Sequence, residues 1–79
     1  TVIPSKIFEA SAMQKPTLLG VEGQAQEIIE KYNAGVCFEP ENQDDFLEKL
    51  KFLQDINIYK QYTVGCKNLA KDYDRKVLA

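Results

Sequence analysis

The chain has 79 residues, ten Lys or Arg against twelve Asp or Glu, and a formal net charge of −2. That length suits one small domain, and the near-balanced charge excludes the basic footprint of a nucleic-acid binder. No apolar run approaches the roughly 20 residues of a membrane helix, no signal-peptide pattern opens the chain, and no histidine is present.

The missing histidine removes the commonest general base and the commonest metal ligand. Cys37 and Cys66 are the only cysteines, far apart and with neither a CxxC nor a metal spacing. Two free thiols in a reducing cytosol are therefore expected. The chain opens Thr-Val-Ile-Pro-Ser-Lys without a Met, as a fragment or a processed product would.

In chain order, Pro4 to Pro16 reads as a loop, a short helix and a tight exit. Pro4 fixes φ, and Ser5 is a good N-cap type. With Ser5 as N-cap, the amides of Lys6, Ile7 and Phe8 lack helical acceptors and form an anion-attracting tip. Lys6 adds a positive charge there. Glu9, just behind the tip, suits vicinal hydroxyls such as a ribose better than a phosphate. A nucleotide-diphosphate site is one reading. An ordinary helix start, with a Lys for solubility and a Glu for the dipole, is the other, and from this stretch alone the plainer one.

The residue before Pro16 is pushed out of the α region, which ends the helix. Thr17 to Gly20 is a short apolar run, brief enough for a buried strand, followed by a glycine-bracketed loop to Gly23. From Gln24 to Asn33, Ala25, Ile28, Ile29 and Tyr32 fall at helical spacing on one face. Asn33-Ala34-Gly35 reads as the stop, with Gly35 in the left-handed conformation. Val36 to Phe38 is a second strand, closed by Glu39-Pro40, so the two strands should run parallel around a helical crossover.

Asn42 is placed to cap the next helix, with Asp45 at a near capping-box spacing. Phe46, Leu47, Leu50 and Leu53 form its apolar stripe. Asp55 to Asn57 reads as a break, and a last long helix follows from about Ile58 to Lys71. Tyr62, Cys66, Leu69 and Tyr73 make its seam, and Gly65 marks a close approach. A further helix is expected from Arg75 to Leu78, capped by Asp74.

The order helix, strand, helix, strand, helix, helix is half of a doubly wound α/β fold. Two parallel strands form a poor independent sheet, so further strands are expected upstream of Thr1. Self-association through the sheet edge or helix faces is expected of the piece alone.

The run Pro-Ser-Lys-Ile-Phe-Glu-Ala-Ser-Ala-Met-Gln-Lys-Pro, then Leu-Leu-Gly-Val-Glu-Gly, then Ala-Gly-Val-Cys-Phe-Glu-Pro-Glu-Asn, resembles the C-terminal, donor-binding domain of GT-B glycosyltransferases. Its order and spacing are similar to the bacterial branch that builds surface polysaccharides. The resemblance covers nearly the whole chain and implies that residues 1–79 are a fragment of that domain, a partial Rossmann-like α/β unit. It implies a cytoplasmic, retaining glycosyltransferase that transfers a sugar from a nucleotide donor, UDP by the branch, to a saccharide or lipid-linked acceptor.

In that family a loop and helix start receive the diphosphate, here Pro4, Ser5, Lys6 and Ile7. A Glu at the place of Glu9 hydrogen-bonds the ribose. Lys6 would supply catalytic charge stabilisation, so neither a metal nor another cofactor is expected. The implied partners are the nucleotide-sugar donor and the N-terminal acceptor domain of the same parent chain. Neither nucleic acid nor a transmembrane segment is expected, and peripheral membrane association of the parent is compatible with the reading. Thr1 stands where the wider family has a first Glu, Ser11 replaces a usual Met, and Gln14 replaces the usual Gly at the helix exit. A non-catalytic interaction or regulatory module with a partial Rossmann-like fold is the rival reading.

Overall fold

In a computed structural model, residues 3–74 are described, together with the backbone of Val77 and Leu78. The order is β1 (Ile3–Pro4), α1 (Ser5–Ala12), β2 (Thr17–Leu19), α2 (Gln24–Tyr32), β3 (Gly35–Cys37), α3 (Gln43–Gln54), α4 (Ile56–Asp72) and β4 (Val77–Leu78). β2 and β3 pair in parallel, with Thr17, Leu18 and Leu19 opposite Gly35, Val36 and Cys37. β1 and β4 form a second parallel pair, Ile3 opposite Val77 and Pro4 opposite Leu78. The molecule is a small α/β protein.

The helix stripes explain the packing. Ile28 and Ile29 of α2, Ile7 of α1, and Cys66 and Leu69 of α4 converge on Ile3, Ala34 and Cys37 in one buried cluster. Phe8, Ala25, Tyr32 and Tyr73 pack around it, half-buried. Within α3 the stripe is thinner: Leu53 is buried and Phe46 and Leu50 half-buried, but Leu47 is exposed. β2 is only half-buried, against the expectation of a buried strand there, whereas β3 is buried throughout.

Both short α-to-β exits close by the same device. After α1, Gln14 takes φ 57°, its N–H bonds Ser11 O at 2.9 Å, and Lys15 N–H bonds Ala10 O at 2.9 Å. After α2, Asn33 takes φ 54° and ψ 44°, with Asn33 N–H on Glu30 O at 3.2 Å and Ala34 N–H on Ile29 O at 3.0 Å. Each is a Schellman turn with a left-handed residue just past the helix. The left-handed role at the second exit therefore belongs to Asn33, whose short amide tolerates it, and not to Gly35. Gly35 is small for a different reason. It opens β3 directly against Thr17, and a Cβ there would overlap Thr17's backbone and hydroxyl.

Three other boundaries differ from the sequence reading. Helix α1 starts at Ser5 itself, with Pro4 in the cap position and no side-chain cap bond. Helix α4 starts at Ile56, because Asp55 alone makes the break and caps α4, its Oδ1 accepting from Asn57 N at 2.9 Å and Ile58 N at 3.2 Å. Finally, the helix expected from Arg75 to Leu78 gives way at Val77–Leu78 to extended backbone on β1. Arg75 and Lys76 lie outside the described residues.

The Asn42 cap is present. Asn42 Oδ1 accepts from Asp45 N at 2.9 Å. Asp45 Oδ2 accepts from Glu39 N at 2.7 Å, its Oδ1 from Lys49 Nζ at 2.7 Å, so the cap is tied to the turn before it. Those two donors hold the Asp45 carboxyl below its ordinary range, the Lys49 hydrogen bond first, and Asp45 in turn raises Lys49.

Candidate functional site

The α1 tip follows β1 without a loop, so it stands at the carboxyl end of a parallel strand pair. That is where open α/β sheets place ligands. Pro4 and Lys6 are exposed, Ser5 is half-buried, and Ile7 is 8% exposed in the core. Ile7 can therefore offer a ligand its backbone N–H, and its side chain belongs to the packing.

With Pro4 in the cap position its C=O takes the Phe8 N–H, so the amides without intrahelical acceptors are those of Ser5, Lys6 and Ile7. Because Pro4 has no N–H, its pairing with Leu78 turns the Ser5 N–H to β4 and leaves the amides of Lys6 and Ile7 open. Ser5 lies four residues and Lys6 three residues before Glu9, about one turn, so the three share one face. Inward-facing Ile7 and Ser11 fix that face outward. Glu9 and Lys6 are exposed, and among the described residues neither side chain makes a hydrogen bond or ion pair. A carboxylate and an ammonium flanking two open amides can receive an anion and a hydroxyl pair together.

Ser11 anchors α1 from behind. It is 1% exposed, and its hydroxyl hydrogen-bonds the Cys66 thiol of α4. Cys66 Sγ donates in turn to Ala34 O at 3.2 Å. This buried chain ties α1, α4 and the exit of α2, and Ser11 supplies its first link. The sequence pattern shows Ser11 without this polar role, which depends on Cys66 lying opposite.

Three hollows are described, and none is lined by a residue of the tip. One of about 600 Å³ lies between β3, α3 and α4, with Val36, Phe52 and Tyr62 in its walls. One of about 380 Å³ lies past the carboxyl ends of β2 and β3, with Glu22, Cys37, Phe38 and Glu39. A small one of about 260 Å³ sits by Phe38 and Phe46. Glu22 lines the second hollow, and Gly23 stands at the start of α2 with φ 78°.

Both thiols are free and buried. Burial pushes Cys66 up to about 11, against the pull of Ser11, and raises Cys37 as well. Neither is a poised nucleophile. Among the described residues no group of three or more His, Cys, Asp or Glu could hold a metal ion, and no helix is long and apolar enough to cross a membrane. No family model, no curated protein and no solved structure matches the chain.

Proposed function

We propose that the chain is a donor-binding unit of a nucleotide-sugar glycosyltransferase, with a partial Rossmann-like architecture, and that the α1 tip receives the donor's diphosphate. The reading is supported by one observation above the rest. The Pro4–Glu9 segment leaves the Lys6 and Ile7 amides open beside Lys6 and Glu9 side chains that are unpaired among the described residues, at the carboxyl end of a strand pair.

In this reading the Ser5 hydroxyl and the amides of Lys6 and Ile7 bind the phosphate oxygens. Lys6 neutralises charge that develops on the diphosphate as the glycosidic bond to it breaks. Preorganised positive charge lowers that barrier most in the transition state. Glu9 accepts from the two ribose hydroxyls and fixes the nucleotide's orientation. The acceptor and the reacting face of the sugar belong to a second domain of the parent enzyme.

Titration of the chain with UDP, GDP and inorganic pyrophosphate tests the reading. The expected result is weak binding of both nucleotides, with pyrophosphate weaker because it lacks the ribose. Equal affinity for pyrophosphate would remove Glu9's role, and the absence of binding by all three at millimolar concentration would reject the site.

The non-catalytic alternative draws on a different feature, the hollows along β3, whose linings share no residue with the α1 tip and where, among the described residues, the outward backbone of β3 is unpaired.

A further inference from the structure

The outer edge of β3 is open yet recessed. In a parallel ladder, alternate residues direct both backbone groups to the same neighbour. Thr17 N–H bonds Ala34 O at 3.3 Å and Phe38 N–H bonds Leu19 O at 2.9 Å. With the register of the pair, these bonds turn Val36 toward β2 and send the N–H and C=O of Gly35 and Cys37 the other way. Among the described residues those outward groups meet no strand, turn or side chain. Gly35 and Cys37 are nonetheless buried. Buried backbone groups in folded proteins are almost always paired, so four such groups in one row imply something to fill the row.

The shape beside them is a slot. Gly35 lines the larger hollow and Cys37 the second, and Glu30 of α2 and Lys49 of α3 border both. Helices therefore wall the edge on either side. A second copy of this chain presents the same recessed edge, and two recessed edges cannot reach one another. A single extended strand can.

The charges favour one kind of strand. Around the Cys37 end stand Glu22, Glu30 and Glu39, while the nearby Lys49 is already paired with Asp45 at 2.7 Å. That end complements a cation. Around the Gly35 end, Phe52 and Tyr62 meet edge to face at 5.8 Å, and Glu48 and Lys51 on the rim offset one another. That end complements an apolar side chain.

We propose that the outer edge of β3 is a docking groove for an extended, basic peptide strand of a partner protein. The strand adds to the sheet by pairing with the N–H and C=O of Gly35 and Cys37, as in other strand additions. It sets an apolar residue against Phe52 and Tyr62 and a Lys or Arg among Glu22, Glu30 and Glu39. This groove is separate from the α1 tip and does not depend on nucleotide binding.

The probe is an acetylated, amidated hexapeptide of alternating Val and Thr closed by two Lys, titrated into the isotope-labelled chain and read by amide shifts and hydrogen exchange. In the free chain the Gly35 and Cys37 amides should exchange faster than that of Val36. On binding they become protected. A peptide N-methylated at the pairing amides, and one with Glu for Lys, should each bind about ten-fold more weakly. Glu22→Gln and Glu39→Gln should each weaken the Lys peptide severalfold and leave thermal stability unchanged. Equal binding of the N-methylated peptide, protection confined to other residues, or no binding at all would overturn the proposal. So would concentration-dependent protection of Gly35 and Cys37 without peptide, with a dimer in sedimentation, because a second copy would then be the occupant.

Discussion

Gly65 of α4 lies directly on the carbonyl oxygens of Tyr32 and Asn33, where a Cβ would overlap both. The Schellman exit of α2 thus serves as the seat of α4, and Cys66, the next residue, bonds Ala34 in the same turn. Tyr32 continues the contact. Its hydroxyl donates to Asp72 Oδ2 at 2.6 Å, and its ring meets Tyr73 edge to face at 5.9 Å.

Gly65→Ala separates helix propensity from this contact. In an exposed helix the change would stabilise by about 1 kcal/mol. Here the methyl group strikes backbone that cannot step aside, and overpacking costs about 1–3 kcal/mol. Urea denaturation should show a lower midpoint for the variant. A raised midpoint would mean that α4 does not sit on the α2 exit.

Gln14→Gly should act in the opposite direction. Gln14 holds φ 57°, a conformation costing a non-glycine residue about 1–2 kcal/mol, while glycine loses more freedom on folding. The balance is a gain of about 0.5–1 kcal/mol, seen as a higher urea midpoint. An unchanged or lower midpoint would refute the strain at this turn.

Alkaline pH should weaken the fold in a defined window. Burial raises Cys66 from 9.0 to about 11, and the Asp72 hydrogen bond, with burial behind it, raises Tyr32 from 10.0 to about 12. A raised pKa means the folded state holds its proton when the unfolded state has lost it. The resulting stability is whole below about pH 9 and falls as pH climbs toward 12. The urea midpoint should stay flat up to about pH 9 and then decline. Tyr32→Phe should flatten the upper part of that decline, and a decline of the same shape in the variant would contradict the assignment.

Much of the fold was legible because its signals are local. Ile28 and Ile29 fall on one helical face, Asn42 is a strong cap type three residues before Asp45, and Gly65 interrupts an otherwise ordinary helix. The errors lie where two residues compete for one role. Asn33 and Gly35 both permit the left-handed turn, and the choice was made by Thr17, which needs Gly35's missing side chain. Ser5 and Pro4 compete likewise at the start of α1, where a proline's fixed φ served without a capping bond. β1 and β4 are two residues each, too short for any periodicity, and Ile3 joins the core only through packing. At the candidate site, the residue types and the exposure of Lys6 and Glu9 follow from the helix pattern. The Ser11–Cys66–Ala34 link does not, since it joins three elements distant in sequence.

The most direct measurement is a UDP titration of the isotope-labelled chain beside Glu9→Ala. In the unaltered chain, shifts should centre on the Ser5, Lys6 and Ile7 amides, and Glu9→Ala should weaken UDP about ten-fold or more, at about 1.5–3 kcal/mol per charged hydrogen bond lost, with no change in stability. UDP shifts that centre elsewhere, or equal affinity in the variant, would contradict a donor site at the α1 tip.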